Sequence, residues 1–110
     1  MKVYEAVAEA IVAEGCGSLF GLMGDGNMLI WGALGRRTDF PIYAARHESS
    51  AVAMADGHAR ATGRVGAASI TWGPGLTQAT TPIIVAARNR TPLVLVVGAQ
   101  AKDSRDPHQK

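Results

Sequence analysis

Leu93-Val94-Leu95-Val96-Val97, an unbroken run of branched aliphatic residues, constrains the fold of this chain more than any other feature. A strand that is apolar on both sides needs cover on both sides, as in a parallel sheet flanked by helices. The rest of the sequence supplies what such a sheet needs. Val3, Ala6, Val7, Ala10 and Ile11 recur at helical spacing, and Gly15 stands where that helix would stop. Residues 18–23 read as a short buried strand and residues 28–34 as a second helix, with a further short strand over 40–44. The alanine-rich stretch from about His47 to Ala61 is strongly helical. Residues 65–71 form the next predicted strand, and the turn Trp72-Gly73-Pro74-Gly75 leads into a helix reaching about Arg88. Pro82 implies a kink in that helix or an early N-terminal boundary. The tail from Lys102 onward is polar and offers no core.

Helices and strands therefore alternate with short connections, which predicts an α/β domain with a parallel sheet and right-handed crossovers. Ligands in such sheets sit beyond the carboxyl ends of the strands. Three loops leave those ends here, over residues 23–27, 45–48 and 71–78, and chemistry is expected there.

At 110 residues and a net charge of +2, the chain fits one small domain, which buries roughly two thirds of the surface its unfolded form exposes. Arg36, Arg37, Arg46, Arg60, Arg64, Arg88 and Arg90 form no run and alternate with no aromatic residues, unlike the clustered basic face of a nucleic-acid groove. Cys16 stands alone, so no internal disulfide and no cysteine-based metal spacing is available. No stretch approaches a membrane span, and Met1-Lys2-Val3-Tyr4-Glu5 lacks a signal-peptide pattern, so a cytoplasmic location is expected.

Gly24-Asp25-Gly26-Asn27 invites two readings that both fail. A Gly-Asp-Gly can begin a magnesium motif that needs an asparagine about a helix-length later, but Val52-Ala53-Met54 occupies that stretch. A dinucleotide fingerprint would need glycine where Leu29 stands. Asp25 is instead expected to turn the chain or to cap the following helix. Arg46-His47-Glu48 opens the alanine-rich helix. A carboxylate in a first helical turn is favoured by the helix dipole, and a histidine beside it is most simply a polar contact.

Taken together, the motifs carry more than any one of them. Arg46-His47-Glu48, the segment from Met54 through Asp56-Gly57-His58-Ala59-Arg60 to Gly63, Gly73-Pro74-Gly75 and Thr91-Pro92-Leu93-Val94 follow one another in a fixed order. In that order they resemble the pyrimidine-binding domain of thiamine-diphosphate-dependent enzymes of the acetolactate synthase and 2-oxo-acid decarboxylase family. The resemblance runs from Val3 to about Gln109.

It implies a flavodoxin-like α/β domain over residues 1–110, with Glu48 as the catalytic residue. Glu48 would hydrogen-bond the pyrimidine nitrogen opposite the amino group and share a proton there, a task that suits a carboxyl held out of water. Met23, Gly24, Thr71, Gly75 and Gln78 would line the cofactor, with Met23 replacing a proline common in relatives. On the substrate side stand Trp72, which is otherwise a core or interface aromatic, and Gln109. The implied cofactor is thiamine diphosphate, with magnesium held only by a domain absent from this chain. The implied partners are a 2-oxo acid or related carbonyl substrate and the diphosphate-binding domain of a second subunit in a homo-oligomer. The resemblance further implies a chain cut short at its C-terminal side and inactive alone. Two other readings stand beside it, a separate pyrimidine-domain subunit of a split phosphonopyruvate or sulfopyruvate decarboxylase, and a non-catalytic α/β binding module.

Overall fold

Three strands of the sheet pass alternate side chains to two different cores, and this decides on which face of the sheet each helix packs. The computed structural model describes residues 1–99. In chain order the elements are α1 (Val3–Ala13), β1 (Leu19–Gly21), α2 (Met28–Gly35), β2 (Ile42–Ala44), α3 (Glu48–Thr62), β3 (Gly66–Ile70), α4 (Pro74–Gln78), α5 (Thr80–Arg88) and β4 (Leu93–Val97). The strands form one all-parallel sheet in the order β2-β1-β3-β4. Leu19 and Ala67 face a core built with Ala8, Ile11, Trp31 and Leu34 of α1 and α2. Their neighbours Phe20 and Ala68 face the opposite core, with Ala51, Val52 and Ala55 of α3. The α/β class with a parallel sheet is therefore as the sequence predicts.

Two predicted elements differ from what is observed. β4 was expected to be covered on both faces, yet all five of its residues are only half-buried. Leu93, Leu95 and Val97 do pack on the α3 core and Val96 on the α1–α2 core, but among the described residues the strand has β3 as its one neighbour and lies at the sheet edge. The fully buried strand is β3, Gly-Ala-Ala-Ser-Ile, whose small residues carry no comparable hydropathy signal. The helix expected after the Gly-Pro-Gly turn is split in two at the buried Ala79. Pro82 falls at the third position of α5, where a missing N–H costs nothing.

α3 is the element that places the candidate site. Ala51, Ala55 and Ala59 repeat every four residues and are all buried, so a stripe of methyl groups lets the helix lie close on the sheet. Gly66 of β3 completes the approach, because a Cβ there would collide with the carbonyl oxygen of Ala55. The helix starts on a His47 cap, whose Nδ1 accepts the Ser49 N–H at 3.1 Å. It ends on Gly63 at φ +70°, with the Gly63 N–H returned to the carbonyl of Ala59. Asp56, only 7% exposed, meets Arg60 one turn on through two 2.9 Å hydrogen bonds, which explains this pair in the motif structurally. The Arg60 guanidinium holds the Asp56 carboxyl below its ordinary range, against the opposing effect of burial.

Candidate functional site

The carboxyl ends of β1 and β3 and the N-terminus of α3 converge on the side chain of Thr71. Thr71 leaves β3 directly after Ile70. Its Cγ2 would lie 3.2 Å from a Cβ on Gly24, in the loop after β1, and also 3.2 Å from a Cβ on Gly75, in α4. A methyl group at either glycine would press into Thr71, so both backbones approach closely only because they carry none. Gly75 is buried and faces Glu48 as well. A Cβ there would sit 3.7 Å from Glu48 Oε1 and 3.9 Å from its Cγ. The Glu48 side chain thus reaches from the first turn of α3 towards the Gly75 backbone.

All three loops singled out in the sequence take part in this arrangement, and Gly24, Glu48, Thr71 and Gly75 are neighbours. Glu48 is half-buried rather than fully enclosed. Its position at the start of α3 puts its charge beside the positive end of the helix dipole. The backbone carbonyl of Gln78 accepts a hydrogen bond from Ser49 Oγ, which ties α4 to the residue next to Glu48; the Gln78 residue itself is exposed. Met23 is 62% exposed at the rim. The Trp72 ring lies over Gly26, where a Cβ would be 2.5 Å from Trp72 Cζ3, so its observed contact is one of packing between loops. Gln109 lies outside the described residues.

The Gly24-Asp25-Gly26-Asn27 segment has a different organisation from either motif it resembles. Asp25 is exposed and lies in the turn. Asn27 is the N-cap residue of α2 by position, and its side chain is turned back into the loop. Its Oδ1 accepts the Gly24 N–H at 2.8 Å, and its Nδ2 donates to the Leu22 carbonyl and to Ser69 Oγ, both at 2.9 Å. Trp31 Nε1 donates to the same Ser69 oxygen at 3.1 Å. Neither Asn27 nor Ser69 was singled out from the sequence as a site-shaping residue. They lie 42 positions apart, and no local pattern links them.

Of the surface clefts, one lies between Val3, Tyr4 and Val7 of α1 and the Asp25–Ile30 side of α2, and another lies between α5 and β4. Neither includes Glu48. At the rim itself, Glu48 is half-buried and Gly75 buried, while Gly73 and Pro74 are exposed. Among the described residues, no helix is long and apolar enough to cross a membrane.

The family described as "Thiamine pyrophosphate enzyme, N-terminal TPP binding domain" matches residues 1–110. The acetolactate synthase large subunit of Haemophilus influenzae is 38% identical over 94 residues, which are 86% of this chain and 16% of that protein. The acetolactate synthase isozyme 3 large subunit of Escherichia coli is 40% identical over 97 residues, 88% of this chain and 17% of that protein. The chain therefore spans about one sixth of the length of these curated relatives. Among solved structures, the thiamine diphosphate-dependent 4-hydroxybenzoylformate decarboxylase of Rhodococcus jostii superposes with a TM-score of 0.84 at 25% identity, covering 94% of this chain and 19% of that one.

Proposed function

Because this chain belongs to the thiamine pyrophosphate enzyme family and matches its N-terminal TPP binding domain, we propose that residues 1–110 supply the pyrimidine-side half of a thiamine diphosphate site in which Glu48 handles the proton. The observation that carries this reading is the approach of Glu48 Oε1 to the bare Gly75 backbone, on a rim shared with Thr71 and Gly24. A flat aromatic ring needs a main chain it can approach closely and one polar anchor at its edge, and these residues fit both needs.

Gly24 and Gly75 offer the close surfaces, Thr71 fills the space between them, and Met23 and Gln78 stand at the margin. Glu48 would form a hydrogen bond from its carboxyl to a ring nitrogen of the ligand and pass one proton across it. Its place on α3, backed by Ala51 and Ala55 against β3, holds the carboxyl in position. Thiamine diphosphate supplies, when bound, the electron sink for making or breaking a carbon–carbon bond beside a carbonyl.

The match to a family described as an N-terminal TPP binding domain supports a divided site. In this reading diphosphate and magnesium are held by another domain, contributed by a second subunit of a homo-oligomer. The complete enzyme is a decarboxylase or carboligase acting on a 2-oxo acid, of the acetolactate synthase kind, and this chain alone is inactive. Gln109 and Trp72 stand on the substrate side of the proposal.

Glu48→Gln in the assembly of this chain with a diphosphate-binding domain is the test. The substitution keeps size and polarity but removes the exchangeable acid. Turnover of a 2-oxo acid with thiamine diphosphate and magnesium should fall by about 100-fold or more. Near-normal turnover by that variant would refute the role of Glu48.

A further inference from the structure

We infer that Asn27 is a positioning residue for the thiamine diphosphate half-site, acting through the Gly24 loop without touching the ligand; this rests on the reading under Proposed function. An amide side chain offers two donors and one accepting oxygen. Asn27, 1% exposed, spends both donors and its oxygen inside the protein. Its oxygen holds the N–H of Gly24, while the Gly24 carbonyl accepts from the backbone N–H groups of Asn27 and Met28 at 3.2 and 3.1 Å. Gly24 is thereby fixed at both of its polar groups.

The second half of the device reaches the sheet. Asn27 Nδ2 is bound to Ser69 Oγ, and the Ser69 carbonyl accepts the Leu22 N–H at 3.1 Å. Ser69 lies two residues before Thr71, the side chain against which Gly24 rests. One buried amide therefore sets the loop after β1 in register with the loop after β3. The Gly-Asp-Gly-Asn segment, which fits neither a magnesium motif nor a dinucleotide fingerprint, gains a role in this way. Its asparagine is a staple, and its first glycine is the surface being held.

A residue that only stabilised the fold would lower stability and leave ligand affinity alone. Trp31 provides that comparison, since it bonds the same Ser69 oxygen from the far side of the network. The assembly of this chain with a diphosphate-binding domain is titrated with thiamine diphosphate and magnesium, and unfolding midpoints of the 110-residue chain are measured in parallel. Asn27→Ala should weaken the affinity about tenfold in protein that remains folded, the size expected for releasing a buried hydrogen-bonded group. Trp31→Phe should lower the midpoint and leave the dissociation constant within about twofold of the parent.

Equal affinity of Asn27→Ala and parent, or an equal loss in Trp31→Phe, overturns the inference. Should Asn27→Ala fail to fold, Ser69→Ala removes the long-range anchor and keeps the Gly24 bond. An affinity loss of about threefold then supports the inference and an unchanged affinity overturns it. If the parent assembly does not bind thiamine diphosphate, the half-site reading fails, and the staple is judged by amide hydrogen exchange alone. Exchange at Gly24 about tenfold faster in Asn27→Ala, relative to β3 amides, sustains the positioning of the loop, and unchanged exchange overturns it.

Discussion

Asp56 shows how a residue within a family motif can be accounted for by its structural partner. It lies on the same helix as Glu48, but its carboxyl is turned to Arg60 and gripped there by two hydrogen bonds. Its folded-state pKa is lowered, chiefly by those bonds, so the stabilisation is fully present above the unfolded value of about 3.9 and is lost as pH falls through the folded value below it. Arg60 is 46% exposed in its side chain, and solvent screening keeps the contribution to about 1 kcal/mol or less. Urea unfolding across pH 2–7 should therefore show Asp56→Asn less stable than the parent at neutral pH. The gap should close in acid. A gap that stays constant down to the lowest pH would remove the ion pair from this account. Cys16, by contrast, is buried and its thiol is pushed upward by desolvation, which makes it a small core residue.

At the scale of elements, α3 illustrates how backbone conformation and small side chains combine to aim a functional group. Gly63 ends the helix in the left-handed region with open space where a side chain would go, so a substitution there meets conformational cost and no clash. Gly63→Ala should lower stability by about 1 kcal/mol, read from thermal or urea unfolding, while the β3 register is preserved. An unchanged midpoint would contradict the αL cap.

The extent of α3 was legible in the sequence because alanine propensity is a local signal, whereas the role of Gly63 as its αL end is seen only in the structure. The position of β4 was not legible either. A continuous aliphatic run reports that both faces of a strand meet apolar side chains, as Leu95 and Val96 do, but it cannot report whether a neighbour lies beyond its edge. Ser69 and the small residues around it gave the converse problem, since a strand can be fully buried while showing little hydropathy. The break at Ala79 was hidden for a similar reason. It follows from packing of α4 and α5 around α3, and the only sequence trace of it was Pro82.

At the scale of the whole molecule, a general property of parallel sheets directed attention to the strand-end loops, and the structure brings four of the named residues together there. Gly24, Glu48, Thr71 and Gly75 come from three segments and meet at the ends of β1 and β3. Glu48 and Gly75 belong to the motif series, and Gly24 and Thr71 were named through the family resemblance, whereas the Asn27–Ser69–Trp31 network beside Gly24 was not legible, because every bond to Ser69 spans dozens of residues. The measurement that tests the central claim most directly is a backbone amide footprint of this chain, assembled with a diphosphate-binding domain, in the presence of thiamine diphosphate and magnesium. The account predicts the largest shifts at Gly24, Glu48, Thr71 and Gly75, with little change at the α1–α2 cleft. A footprint centred on that cleft, or on the α5–β4 groove, with the Glu48 rim silent, would contradict it.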